Sequence, residues 1–130
     1  MNKIVEKSWG TEHWIVNDEK NDYCSKILTI EPGNGTSLHF HSKKHETFHI
    51  TEGTLELTVV NTVTAEHEKI SLNEGDTYVL ERNVPHCLES ISGCKVLEIS
   101  TFHRDSDSFR VARFGDLESF EHATEAGDLC

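Results

Sequence analysis

The stretch Gly33-Asn-Gly-Thr-Ser-Leu-His39-Phe-His41-Ser-Lys-Lys-His45-Glu46-Thr-Phe-His49-Ile-Thr-Glu-Gly53 decides how the rest of the chain is read. Polar and apolar residues alternate through it with a period of two, and glycines bound it at both ends, the pattern of short antiparallel strands joined by turns. On a strand, His39 and His41 leave the same face, so their ring nitrogens can converge on one ion, and Leu38 and Phe40 must point the other way. A turn over Ser42, Lys43 and Lys44 reverses the chain. Glu46 then opens the returning strand with Phe48 and Ile50 on its own face. If that face is an interior, the Glu46 carboxylate arrives beside the two histidines, and the same parity sends His45 and His49 outward.

Working outward, the alternation continues from residue 26 to residue 102, broken by Gly, Asn and Pro at short intervals. Strands are expected over 26–31, 37–41, 46–51, 54–60, 68–72, 77–81, 87–91 and 95–102, with Leu55, Leu57 and Val59 sharing one face. No long helical pattern interrupts them. Short, evenly spaced strands without alternating helices predict an all-β fold, a sandwich or small barrel. Residues 9–16 read as a loop leading into an edge strand, anchored by Trp9 and Trp14. The segment 116–130 is acidic and poor in apolar residues, and reads as a flexible tail or one short amphipathic turn around Leu117, Phe120 and Glu121. The expected organisation is a single barrel with an N-terminal arm over 1–115 and an acidic C-terminal tail over 116–130.

Composition bounds the partners. The 130 residues suffice for one domain, and 12 basic against 23 acidic residues leave a net charge of −11. Such a charge repels a phosphate backbone, so nucleic acid is not an expected partner. No apolar run approaches the roughly 18 to 20 residues of a membrane-spanning helix. No signal-peptide pattern opens the chain, so a cytoplasmic location is expected. Cys24, Cys87, Cys94 and Cys130 form no Cys-x-x-Cys pair and are expected to stay reduced, Cys87 as a small buried thiol. Asn34-Gly-Thr36 reads as a turn rather than a glycosylation site.

A second segment supplies a further ligand: Gly75-Asp-Thr-Tyr-Val-Leu-Glu-Arg-Asn-Val-Pro85-His86-Cys-Leu-Glu-Ser90. Gly75-Asp76 makes a turn, and Pro85 stiffens the approach so that His86 is presented at the start of the next strand. His39, His41, His86 and Glu46 together would form a borderline-hard site for one divalent ion, Mn, Fe, Zn, Ni or Co, with about two octahedral positions open to substrate. A His-x-His pair alone is an ordinary strand feature.

The whole arrangement resembles the cupin superfamily. Gly33, His39, His41, Glu46 and Gly53 fall in register with that family's first motif. Gly75 and His86 match its second, where Glu81, Asn83 and Ser90 stand in place of a proline, a glycine and an asparagine. The resemblance implies a double-stranded β-helix, a small jelly-roll barrel, with the three histidines and Glu46 as metal ligands. Trp9-Gly10, Ser37-Leu38 before the first ligand, Lys44 two before the acid, and the closing run from Glu98 to Arg110 are similar to phosphomannose isomerase cupin domains and lyxose-type sugar isomerases. That similarity implies a metal-dependent sugar or sugar-phosphate isomerase or epimerase acting through a metal-chelated enediolate.

For such a reaction the candidate bases are Lys44 and His103, with Glu46 as a ligand that could double as base. His103 shares parity with Leu97, Ile99 and Thr101, and reaches the barrel mouth if those pack inward. Lys44 also reads as a solvated turn lysine. Tyr78, Phe48 and Phe102 could wall a sugar ring or simply fill the core. Arg82, Arg104 and Arg110 could grip a phosphate or sugar acid, or be surface charges. An Fe- or Ni-dependent dioxygenase uses the same ligand set, and a non-catalytic metal- or sugar-binding module is the third alternative. A homodimer is expected through the outward-pointing Leu38 and Phe40. His13, His45, His49, His67 and His122 are read as surface or packing residues.

Overall fold

Burial follows the period of two along the strands. Cys24, Lys26, Leu28 and Ile30 are buried in turn while Tyr23, Ser25, Ile27 and Thr29 between them are more open. The computed structural model describes residues 2–114. Its strands are β1 (Lys3–Lys7), β2 (Gly10–Asp18), β3 (Tyr23–Ile30), β4 (Asn34–Gly35), β5 (Leu38–Phe40), β6 (Glu46–Gly53), β7 (Leu55–Val60), β8 (His67–Leu72), β9 (Thr77–Leu80), β10 (His86–Ser90), β11 (Cys94–Ser100) and β12 (Phe109–Ala112). A 3-10 turn at Asp105–Asp107 separates β11 from β12. All the pairings are antiparallel.

The strands form two sheets, ordered β1-β2-β3-β11-β6-β9 and β12-β5-β10-β7-β8, with β4 also paired to β10. Their inner faces meet in an apolar core that includes Leu28, Ile30, Phe48, Leu55, Leu57 and Val96. Each such side chain contributes on the order of 1.5 to 3 kcal/mol by leaving water. The alternation predicts the all-β architecture, and the two facing antiparallel sheets agree with the jelly-roll barrel that the resemblance implies. Beside this core, and sharing Leu28 and Phe48 with it, a cavity opens over the histidine-bearing strands.

Three expectations need correction. Residues 9–16 are not a loop entering an edge strand, because β2 already begins at Gly10 and runs to Asp18. That strand is paired on both sides, and β1 takes the edge. Gly10 permits this, because a Cβ there would run into the carbonyl oxygen of Thr29 on β3. Trp9 and Trp14 are buried as anchors. Second, β12 is absent from the sequence reading, since four residues without clean alternation carry little periodic signal.

The third correction follows from the second. Leu38 does point away from the histidines, but it is not available to a partner subunit. It is fully buried with Val60 and Cys87 against Val111 and Ala112 of this chain. Phe40 stacks on Phe109, with ring centroids 5.1 Å apart. Cys24, Cys87 and Cys94 are buried free thiols. The expected acidic tail, and His122 and Cys130 within it, lie outside the described residues. Among the described residues, no helix is long and apolar enough to cross a membrane.

Candidate metal centre

Two strands of one sheet and the first residue of a strand in the other bring four side chains together at this cavity. His86 stands directly opposite His39 in the β10–β5 ladder, so both rings leave the same face. His41 follows two residues on, just past β5. One ring nitrogen from each of the three lies within 4.8 Å of the others. Glu46 opens β6 across the barrel, its Oε2 3.7 Å from His41 Nε2 and 3.5 Å from His86 Nε2.

The hydrogen bonds around the rings select the ligating tautomer. His39 Nδ1–H donates to the Ser37 carbonyl at 2.7 Å, His41 Nδ1–H to the Asp107 carbonyl at 2.8 Å, and His86 Nδ1–H to the Val84 carbonyl at 2.9 Å. Each ring therefore keeps its Nε2 lone pair for the centre. Burial pulls all three pKa values down, His39 to about 4 and His86 well below the ordinary range, with the Lys44 ammonium also depressing His41. The rings are neutral at pH 7. Glu46 Oε2 is buried and accepts no hydrogen bond. Three neutral imidazoles and one unpartnered carboxylate oxygen converging on a point are a donor set that fits a divalent cation.

Next to this set lies a line of buried charge. Lys44, only 3% exposed, is no solvated turn lysine. Its Nζ lies 2.6 Å from Glu98 Oε2 and 3.3 Å from Glu46 Oε1, and donates to His103 Nδ1 at 3.1 Å. Burial disfavours its charge, but Glu98 and then Glu46 reverse that and hold its pKa above the ordinary lysine value. Burial likewise opposes ionisation of Glu98, yet Lys44 and then Lys26 bring it down to about 2. Glu46 is pushed up to about 7 by burial and then by the Glu98 charge. Lys26 is 1% exposed, its Nζ 3.4 Å from Glu12 Oε1 and 3.8 Å from the centroid of the Trp14 ring.

His103 completes the group, but by another route than strand parity. Ile99 is 51% exposed, so the side shared by Leu97, Ile99 and Thr101 faces out. The chain leaves β11 after Ser100 and turns His103 inward, where Asn17 bonds to its backbone on both sides. Its Nε2–H donates to Asp105 Oδ1 at 2.9 Å. Burial, and then Lys44, lower its pKa to about 4. Asp107 pins the turn that carries Lys44, its carboxylate accepting from the amides of Ser42, Lys43 and Lys44 and from the Ser42 hydroxyl.

A cavity of about 660 Å³ opens over these residues, lined among others by His39, His41, Glu46, Phe48, His86 and His103. The other expected substrate contacts stand apart from it. Tyr78 packs against the main core on β9. Arg82 is exposed and donates from Nε to the Lys43 carbonyl at 2.8 Å. Arg104 lies over the Phe102 ring at 4.7 Å and pairs with Glu19 at 3.5 Å. Arg110, by contrast, does line the cavity.

The sequence reading missed Lys26, as well as Glu98 and Asp107 as part of the site. For the first two a signal existed, since each sits at an inward position of an alternating strand, Lys26 in phase with Leu28 and Ile30 and Glu98 with Val96 and Ser100. A charge in phase with buried neighbours needs a partner. The departures from the second motif are also accommodated. Asn83, at the glycine position, has φ 66°, a left-handed conformation that asparagine tolerates better than most residues. Glu81 pairs with His45 at 3.2 Å, and Ser90 Oγ donates to the Thr54 carbonyl at 2.7 Å.

Known structures share this fold at low identity. The capsular polysaccharide assembling protein CapF from Staphylococcus aureus superposes with a TM-score of 0.74 at 12% identity, covering 85% of this chain and 34% of CapF. Oxalate decarboxylase from Bacillus subtilis does so with a TM-score of 0.74 at 17% identity, covering 97% of this chain and 34% of its own. KdgF from Halomonas sp. gives 0.62 at 16% identity, covering 74% of this chain and 81% of KdgF. The chain thus spans about a third of the length of CapF and of oxalate decarboxylase. No curated protein sequence matches it. The cupin domain model matches residues 26–100, more than half of the sequence and every one of the four converging side chains, and the chain belongs to the cupin family.

Proposed function

We propose that the chain is a metal-dependent sugar or sugar-phosphate isomerase or epimerase. The observation that carries this reading is His103, a neutral histidine whose ring lies 6.4 Å from that of His41 across the same cavity. A divalent ion held by His39, His41, His86 and Glu46 would polarise adjacent oxygens of an aldose or ketose and offset the negative charge that develops on them.

Within that arrangement His103 is the base. The Lys44 N–H bonded to Nδ1 at 3.1 Å first swings to a substrate oxygen, and the freed Nδ1 lone pair then receives the proton from the carbon next to the carbonyl and returns it to the neighbouring carbon. Asp105, bonded to Nε2–H, holds the tautomer and favours the protonated ring, as a carboxylate does behind any histidine base. Lys44 is unsuited to be the base because Glu98 and Glu46 keep it charged. Its three protons go to Glu98, Glu46 and His103. On the substrate oxygen the Lys44 N–H offsets the negative charge that develops as the proton leaves carbon. Phe48 offers an apolar wall for the ring.

The test is isotope exchange. Protein loaded with Mn or Zn and incubated in deuterated water with a panel of aldoses, ketoses and their phosphates should place deuterium beside the carbonyl. His103→Gln should slow that exchange by roughly 10² to 10⁴-fold. No exchange and no product with any of the sugars would sink the reading. Elemental analysis of the purified protein and of His41→Ala checks the metal independently.

The donor set of three neutral imidazoles and one carboxylate supports a second reading, an Fe- or Ni-dependent dioxygenase, for which oxygen uptake by the Fe-loaded protein is the assay. Ligand binding without turnover in either assay would point to a binding module. A homodimer is proposed with the enzyme, through a surface other than Leu38 and Phe40, and light scattering reads it.

A further inference from the structure

We propose that the mouth of the cavity is an oxyanion subsite, in which the Arg110 guanidinium holds a carboxylate or phosphate group of the molecule whose other end lies at the metal centre. The proposal rests on the reading of the cavity as a substrate site and adds the chemical class of the substrate.

The first support is register. In the ladder of the second sheet, His86 pairs with His39, and His39 pairs with Arg110. Residues directly opposite each other on antiparallel strands project from the same face, so one inner row runs His86, His39, Arg110. Adjacent strands lie about 4.8 Å apart, which sets Arg110 one strand beyond the ligand-bearing pair, on the same side of the sheet and at the edge of the cavity.

The second support is charge. The protein carries a net charge of −11, yet five of its 12 basic residues, Lys7, Lys26, Lys44, Arg110 and Arg113, line this cavity. The deep lysines are matched, Lys44 by Glu46 and Glu98, and Lys26 by Glu12. Arg110 is not. It is exposed, and among the described residues its guanidinium has no hydrogen bond or ion pair, whereas Arg82 bonds to the Lys43 carbonyl and Arg104 to Glu19. An unmatched guanidinium at the mouth of a cavity whose inner cations are already neutralised offers its planar donor fork to a ligand, and that fork matches the paired oxygens of a carboxylate or phosphate.

The test compares D-glucuronate, inorganic phosphate and neutral D-glucose by calorimetric titration of the metal-loaded protein and of Arg110→Ala and Arg110→Lys, each with its metal content measured. At least one anion should bind about tenfold or more tighter than glucose, a difference of ~1.4 kcal/mol. Glucuronate or phosphate as the better ligand identifies carboxylate or phosphate as the group held. Arg110→Ala should abolish the preference at unchanged metal content, Arg110→Lys should restore part of it, and added salt should weaken it. Equal affinity for anion and glucose, no binding of either anion, or an anion affinity indifferent to Arg110→Ala overturns the proposal. Arg110-dependent anion binding without turnover sinks the isomerase reading and leaves the subsite standing. Turnover of neutral sugars without anion preference does the reverse.

Discussion

His41 Nδ1–H donates to the backbone carbonyl of Asp107 at 2.8 Å, while the carboxylate of the same Asp107 gathers the amides of Ser42, Lys43 and Lys44. One residue, after the last strand of the first sheet, thus orients one of the three converging imidazoles and fixes the turn carrying the buried lysine. Burial opposes its ionisation, but the bonds from the Ser42 side chain and the Lys43 amide bring its pKa below the ordinary aspartate value. Asp107→Asn replaces an acceptor oxygen with a donor facing backbone N–H groups. The expected result is a metal affinity lower by about 10 to 100-fold and a loss of roughly 2 to 4 kcal/mol in stability, read by competitive metal titration and by urea unfolding. Since the substitution keeps the backbone carbonyl that accepts from His41, an unchanged metal affinity would show that the turn pinned by the Asp107 carboxylate does not set the position of that ring.

Lys44 and Glu98 should behave as a buried pair that is costly to break from either side. Lys44→Met leaves Glu98 and Glu46 facing each other in the interior, and should destabilise by about 3 to 5 kcal/mol. Lys44→Met combined with Glu98→Gln removes the charge left behind and should recover part of the loss. A double variant no more stable than Lys44→Met in urea unfolding contradicts this.

How much of this was legible follows from what periodicity can carry. Two-residue alternation marks faces, so the strands, the shared face of His39 and His41 and the arrival of Glu46 could be read from spacing alone. It is silent where the chain leaves a strand. His103 and Asp107 both lie in the irregular stretch between β11 and β12, and their roles depend on Asn17 and on the turn of residues 42–44, contacts far apart in sequence. Lys26 and Glu98 were hidden for a different reason. A charged residue in an alternating strand reads as a solvent position unless its phase is compared with its neighbours.

The metal-free protein should lose stability as pH falls from 6.5 towards 4. His39 and His103 have folded pKa values of about 4 against 6.5 in the unfolded chain, and His41 and His86 are shifted the same way. Between those values the unfolded state binds more protons, so acid favours unfolding. Glu46 acts oppositely. Its folded pKa of about 7 exceeds the unfolded 4.5, so its contribution is complete below 4.5 and is lost as pH rises through 7. Four histidines outweigh one carboxylate. Urea midpoints across this range should fall with acidification, and Glu46→Gln, which removes the opposing term, should make the slope steeper. A flat profile in both proteins would mean that the rings are not held neutral by burial.

Asn83 stands where the family's motif has glycine. Its φ of 66° lies in the left-handed region, and its amide donates to the His41 carbonyl at 2.8 Å, tying the loop that leads to His86 onto the segment that carries His41. Glycine enters that region freely, asparagine at modest cost, and a residue with only a Cβ at about 1 to 2 kcal/mol. Asn83→Gly should therefore unfold within about 0.5 kcal/mol of the wild type, whereas Asn83→Ala should lose about 1 kcal/mol or more. Because the strained backbone also sets the spacing between the segments that carry His41 and His86, the alanine variant should bind metal more weakly and the glycine variant should not. Equal losses in both would assign the role to the asparagine side chain rather than to its backbone conformation.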